Sequence, residues 1–236
     1  MEHLSIAAKR AIEECEVIVG YKKYIELINP IIEGKEVYST SMMGEIKRCA
    51  SAIDLAKQGK DTCVVCSGDS GIYGLAGLII ELLEKKDFLD EISVEVIPGI
   101  PAFVASASLL GAPIVHDFAS VSLSDLLTSW EVIEKRLVAC GEGDFVTIIY
   151  NPKSKKRNWQ LDRAIEILKR YRSEFTPVGV VKNATREGET VIITTLGRVD
   201  TSNIDMFTLI IIGNSKTKNI GNYMVTPRGY LEKYTE

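Results

Sequence analysis

Three short stretches bring together the residue types that chemistry requires. The first, Ser67-Gly68-Asp69-Ser70-Gly71-Ile72-Tyr73-Gly74, sets three glycines, an acid and a tyrosine within eight positions. Glycine lets a ligand approach the backbone closely, and an exposed carboxylate accepts hydrogen bonds from ribose hydroxyls or an amino group. A plain strand-to-helix turn with Asp69 as its cap is the competing reading. The second stretch, Ile97-Pro98-Gly99-Ile100-Pro101-Ala102, is another tight turn, followed by Ala105, Ser106, Ala107 and Ser108. Side chains that small leave room for a ligand or serve close helix–sheet packing. The third runs from Gly111 through His116, Asp117 and Phe118 to Ser122, Ser124, Asp125 and Trp130. Its mixture of imidazole, carboxylate, hydroxyl and indole suits a large, flat, polycarboxylated ligand with faces to stack on and anionic edges to bind. Ser124 or Asp125 capping a helix that leads toward Trp130 is the structural alternative.

The elements around these stretches alternate. Helical periodicity covers about 3–15, 44–59 and 72–85, and apolar strand-like runs fall at EVIVG, TCVVCSG and VEVIP, with a small-residue helix at about 101–110. Apolar strands separated by amphipathic helices predict βαβ units and a parallel sheet covered on both faces. The second half holds more strand: DFVTIIYN, TPVGVVKNA, ETVIITTL and FTLIIIGNS, with one clear helix over about 158–172 whose Leu161, Ala164, Ile165 and Leu168 share a face. The expected division is an N-terminal α/β domain, 1–113, and a C-terminal one, 114–236. In open α/β sheets ligands bind beyond the carboxyl ends of strands, which is where the first two stretches lie. Asn151 and Gly179, within or just after predicted strands of the second half, are their counterparts.

Composition narrows the function classes. The 236 residues are 46% hydrophobic and 25% charged, with a formal charge of -4, the balance of an ordinary globular protein. A mildly acidic chain lacks the net positive charge of a phosphate-backbone binder, so no nucleic-acid partner is expected. The cluster Lys153-Ser154-Lys155-Lys156-Arg157 is either a receiver of substrate carboxylates or a solvated loop. No apolar run reaches bilayer length and the first residues are too charged for a signal peptide, so no membrane association and a cytoplasmic location are expected. Five scattered cysteines fit reduced thiols. Cys63-Val-Val-Cys66 could be a redox or metal pair, but in a strand positions three apart point to opposite faces. Two histidines, His3 and His116, are too few for a conventional zinc site, and no resident metal is expected.

In order, SGDSGIYG, the EVIPG turn, GAPIVHDF, SLSDLLTSW, YNPKSKKR, TPVGVVKNA, IIIGNS and MVTPRGY resemble the precorrin-3B or cobalt-precorrin-3 C-17-methyltransferases of the tetrapyrrole methylase family. The likeness covers nearly the whole chain. SGDSGIYG and EVIPG look common to all tetrapyrrole methylases, whereas HDFASVSLSDLLTSW and MVTPRGY look particular to the C-17 branch. The resemblance implies two α/β domains, an N-terminal parallel sheet and a C-terminal mixed one, with S-adenosyl-L-methionine in the cleft between them and a homodimeric assembly. It implies that Gly68, Asp69, Ile72, Tyr73, Pro101, Ala102, Asn151 and Gly179 line the cofactor, although much of the wider family has Ser or Thr where Pro101 stands. Members of the family begin with an apolar strand and a GIGPG-type loop just before the segment matching Glu2-His3-Leu4-Ser5. Neither is in this sequence, so the first sheet is expected to lack a strand, with cofactor affinity and solubility weakened accordingly.

The implied reaction is transfer of the sulfonium methyl to C-17 of a tetrapyrrole, cobalt-bearing or metal-free, with ring contraction. Positioning dominates such a transfer. Contraction also asks for proton removal from an oxygen on the macrocycle, and His116 and Asp117, with Asp125 behind them, are the candidates. Against this stand another tetrapyrrole methylase (C-11, C-20 or uroporphyrinogen) and a non-catalytic binding protein. A nicotinamide oxidoreductase would want Gly-x-Gly-x-x-Gly after its first strand, which is not here.

Overall fold

The computed structural model describes residues 2–41 and 43–234. The chain forms two compact units, Met1–Pro101 and Ala102–Glu236.

In the first unit the order is α1 (Ile6–Glu14), β1 (Val17–Tyr21), α2 (Lys22–Glu26), a 3-10 turn at Asn29–Ile31, β2 (Glu36–Thr40), α3 (Glu45–Lys57), β3 (Thr62–Val65) and α4 (Ala76–Lys85). The strands make a parallel sheet in the order β2-β1-β3. Central β1 is a β-branched run, and its alternation assigns each side chain a layer. Ile18 joins Ile12, Cys15, Ile25, Ile28 and Ile32 on one face, while Val17 and Val19 meet Ala52 and Leu55 of α3 on the other. Ser5 starts α1 by accepting the Ala8 amide at 3.1 Å, a side-chain N-cap.

The apolar alternation of VEVIP predicts a strand, and here the structure differs. Residues 93–97 join no ladder, and Val94 and Val96 stand 40% and 47% exposed. A strand exists only as a member of a pair, and among the described residues no segment supplies the partner. The fourth helix also begins later than periodicity indicates, at Ala76, because residues 70–74 are taken up by the turn described below.

The second unit comprises α5 (Ala102–Leu110), β4 (Gly111–Ala112), β5 (Phe118–Ser122), α6 (Trp130–Glu142), β6 (Val146–Tyr150), α7 (Gln160–Leu168), β7 (Pro177–Lys182), β8 (Thr190–Thr195), β9 (Thr208–Ile212), β10 (Lys218–Ile220), β11 (Tyr223–Val225) and α8 (Tyr230–Tyr234). Its main sheet has the order β5-β6-β9-β7-β8, with β5 and β6 parallel and the other pairs antiparallel. A small sheet joins β10, β11 and β4. All five residues of β9 are buried, and the period of two divides them. Ile210 and Ile212 pack with Ile133 and Leu137 of α6 and with Leu161, Ala164 and Leu168 of α7. Leu209 and Ile211 pack with Ala107 and Leu110 of α5 and with Met224. That second cluster explains the position of the division. Ala107 and Leu110 of α5 thus pack with β6 and β9, and the compact units divide after Pro101, not at the 113/114 division expected from the sequence. Among the described residues no helix is long and apolar enough to cross a membrane.

Candidate functional site

At the carboxyl end of β3 the chain makes a turn held by backbone bonds and by one carboxylate, that of Asp69. Gly68 has φ 74° and Tyr73 φ 54°; for a bulky residue such as Tyr73 the left-handed region is costly and marks a constrained site. Asp69 braces the turn. Its Oδ1 accepts the Gly71 amide at 2.8 Å and its Oδ2 the Gly99 amide at 2.9 Å. Those amides, Gly99 first, then Gly71, with Ile72 contributing less, hold the Asp69 carboxyl below the usual carboxylate range. The two glycine turns are thereby clamped together: a Cβ on Gly99 would lie 2.1 Å from the Gly68 carbonyl oxygen, and one on Gly74 2.3 Å from that of Ser70. Gly68, Asp69, Ile72 and Tyr73 therefore form one local group, with Ile72 and Tyr73 turned outward. Ser5 also ties to this place, its Oγ donating to the Pro98 carbonyl at 3.2 Å.

Beside the turn lies a cavity of about 140 Å³ lined by Tyr24, Glu45, Arg48, Cys66, Tyr73 and Gly74, among others. Arg48 is only 4% exposed. Its Nε donates to Thr40 Oγ1 at 2.8 Å and its Nη2 to the Ser41 carbonyl at 3.1 Å. Sequence reasoning passed over this residue. The available signal was an arginine on the apolar side of α3, at i, i+4 and i+7 with Ala52 and Leu55. Cys63 and Cys66 do point to opposite faces: Cys63 packs with the Ile18 cluster and Cys66 lines the cavity. Cys63 hydrogen-bonds Cys15, which draws the Cys15 thiol down to about 7. Among the described residues all five cysteines are free and no cluster of His, Cys, Asp or Glu could hold a metal.

In the second unit the predicted residues separate into distinct groups. Asn151, at φ 50°, donates through Nδ2 to Ser122 Oγ at 2.9 Å, and its carbonyl accepts Arg157 Nε at 2.9 Å. Arg157 reaches Ser124 Oγ at 3.4 Å, and burial lowers its pKa against the opposing pull of Asp125. Asp125 itself accepts from Gln160 Nε2 at 2.7 Å. Lys153 donates to the Thr201 carbonyl at 2.9 Å. Two members of the basic cluster thus fasten their own loop, while Lys155 and Lys156 are exposed. Gly179 is buried in β7 beneath α5, where an added Cβ would lie 2.3 Å from Leu110 Cδ1. Ala102 opens α5, and the next amide, that of Phe103, donates to Tyr150 Oη at 3.1 Å; Pro101 directly precedes it.

His116 and Asp117 form a pair on the surface. The Asp117 amide donates to His116 Nδ1 at 2.7 Å, and Asp117 Oδ2 lies 3.3 Å from the same nitrogen. Among the described residues no hydrogen bond or ion pair joins Asp125 to either of them; its hydrogen-bond partner is Gln160. Nor do Ser124 and Asp125 cap α6, which begins only at Trp130 with Ser129 in the cap position. The intervening residues are occupied by the contacts to Arg157 and Gln160.

The family model of the Tetrapyrrole (Corrin/Porphyrin) Methylases matches residues 1–200. The chain is 48% identical over 96% of its length to the probable cobalt-factor III C(17)-methyltransferase of Salmonella typhimurium, covering 93% of that protein. It is 47% identical over 99% of its length to the cobalt-factor III methyltransferase of Priestia megaterium, but spans only 44% of that longer relative. Among solved structures, the methyltransferase CobJ matches with a TM-score of 0.91 at 32% identity, over 96% of this chain and 94% of that one. The expected combination of a parallel and a mixed sheet stands within this likeness, and the chain belongs to the tetrapyrrole methylase family.

Proposed function

We propose that this chain transfers the methyl group of S-adenosyl-L-methionine to C-17 of a corrin-pathway tetrapyrrole, with contraction of the ring, and that the ring carries cobalt. The observation behind this reading is the 48% identity to the Salmonella protein across 93% of that protein's length, since its name specifies both the carbon and cobalt-factor III. The precorrin-3B C(17)-methyltransferase of Sinorhizobium is less similar, at 35%, which favours the cobalt-bearing ring. The protein works as a cytoplasmic homodimer in this reading; light scattering of the purified chain tests the dimer, and a monomeric mass would remove it.

S-adenosyl-L-methionine supplies an electrophilic methyl. The chain supplies alignment. Gly68, Asp69, Ile72 and Tyr73, with Pro101, Ala102, Asn151 and Gly179, hold the cofactor. The outward-turned Ile72 and Tyr73, carried on a turn fixed by the close Gly68–Gly99 approach, support this. His116 takes the proton that contraction releases, which requires its Nδ1 to give up the bond from the Asp117 amide or the ring to change tautomer. Asp125 acts as a positioning residue, through Gln160 and the Arg157 loop.

The deciding experiment incubates the protein with cobalt-factor III and methyl-labelled S-adenosyl-L-methionine and locates the label by mass spectrometry and NMR. One methyl at C-17 is expected; a methyl at another carbon, or none, overturns the assignment. His116→Ala should slow contraction by about 10²–10⁴-fold while cofactor affinity stays unchanged; full activity would take His116 out of the reaction.

A further inference from the structure

Arg48 is a buried cation that the fold leaves incompletely used. Two of its three nitrogens are occupied, Nε by the Thr40 hydroxyl and Nη2 by the Ser41 carbonyl, and its guanidinium carbon lies 5.9 Å from the Tyr21 ring centroid. Among the described residues no acceptor meets Nη1 and no carboxylate forms an ion pair with the guanidinium. Nη1 is not among the buried side-chain atoms that lack a partner, so it stays open to an acceptor from outside the fold. Arg48 has been placed against a cavity at the carboxyl ends of β1 and β3, where ligands of parallel sheets gather.

Size and charge limit what can enter. At about 140 Å³ the cavity is well below the roughly 300 Å³ of pockets that take up whole ligands, so it admits an arm and not a macrocycle. Guanidinium is built to receive carboxylate. Glu45 shares the lining, half-exposed, and makes no ion pair with Arg48. Its negative charge disfavours free small anions, so the carboxylate has to be delivered by something anchored elsewhere.

We infer that Arg48 receives a carboxylate arm of the bound ligand, and that the arm is a peripheral carboxylate of the tetrapyrrole. The inference rests on the methyltransferase reading for the identity of that ring. The same carboxylate chemistry could come from the amino-acid head of S-adenosyl-L-methionine, and the two sources behave oppositely toward Glu45. A ring carboxylate is repelled by Glu45, whereas the ammonium of the amino-acid head is attracted to it.

The test measures binding of S-adenosyl-L-methionine by calorimetry, and of cobalt-factor III and the octacarboxylate uroporphyrin III by absorbance titration. Wild type, Arg48→Gln, Arg48→Lys and Glu45→Gln are compared, each first checked for a native circular dichroism spectrum and melting temperature. Loss of a hydrogen bond to a charged group predicts about 10- to 100-fold weaker tetrapyrrole binding by Arg48→Gln, partial recovery in Arg48→Lys, tighter binding by Glu45→Gln, and cofactor affinity within twofold of wild type. If Arg48→Gln and Glu45→Gln instead both weaken the cofactor and spare the rings, Arg48 binds a carboxylate but the ring assignment is overturned. If the folded Arg48 variants bind all three ligands as wild type does, the inference fails. Methyl transfer by the wild type to cobalt-factor III is scored separately. Uroporphyrin III keeps the arginine readable even if cobalt-factor III is not the substrate.

Discussion

Two arginines are sunk into this protein, and their surroundings differ. Arg172, in the second unit, donates from Nη1 to the Gly213 carbonyl at 2.6 Å, and from Nη2 to the carbonyls of Cys140, at 3.1 Å, and Phe145, and to Thr147 Oγ1 at 3.3 Å. Only its Nε lacks a partner. It stitches the end of α6 to β6 and to the residue after β9, and burial pulls its pKa down. Arg48, in the first unit, has two acceptors and a cavity. The comparison separates a cation consumed by the fold from one that the fold holds out. It is most sharply tested by removing each. Arg172→Met strands the buried Gly213 carbonyl, while the carbonyls of Cys140 and Phe145 keep the Phe145 amide and the Thr147 hydroxyl, and should cost about 3 kcal/mol of stability in urea denaturation, whereas Arg48→Gln should cost less than about 1.5 kcal/mol, because an amide can still serve one of its acceptors. Equal losses would erase the distinction.

The same contrast appears among the glycines, with a smaller expected effect. Gly74 and Gly99 are required by neighbouring backbone, but Gly179 is required by a side chain, Leu110. Gly179→Val should therefore destabilise the second unit by about 2 kcal/mol through overpacking, and Leu110→Ala in the same chain should return part of that loss. A double-mutant cycle with no coupling would show that Gly179 serves something other than packing.

Much of this was legible in the sequence for identifiable reasons. β1 and β9 are buried β-branched runs, and Leu161, Ala164, Ile165 and Leu168 repeat at helical spacing, so their elements and faces follow from composition. The turn at 67–74 was legible because its three glycines stand where a strand ends. What escaped were properties that depend on partners distant in sequence. VEVIP has the pattern of a strand, yet pattern does not supply the neighbour that would make it one. Asp69 looked like a ligand acceptor or a helix cap, and its Oδ2 is taken by an amide 30 residues away. His116, Asp117 and Asp125 are close in sequence, but Gln160 and Arg157 draw Asp125 into a different group. Arg48 was hidden because an arginine on an amphipathic helix reads as solvent-facing until its depth is known.

Asp69 supplies the smallest and most discriminating prediction, since it is the charge in the first unit that the fold does consume. The Gly99 amide, then that of Gly71, hold its carboxyl below the usual range, so the folded protein takes up this proton less readily than the unfolded chain. Its stabilisation is complete above about pH 4, where the unfolded carboxyl is ionised, and is lost as pH falls through the lower folded value. Asp69→Asn keeps the shape but puts an amide N–H where one backbone N–H already points. It should cost about 1 kcal/mol at pH 7, the side of the carboxylate facing solvent limiting the effect. Urea midpoints for wild type and Asp69→Asn should converge below pH 4. A gap that persists into acid would mean that the turn depends on the shape of residue 69 and not on its charge. The first unit would then hold no counterpart to Arg172, and burial with incomplete pairing would be its general condition instead of a property particular to Arg48.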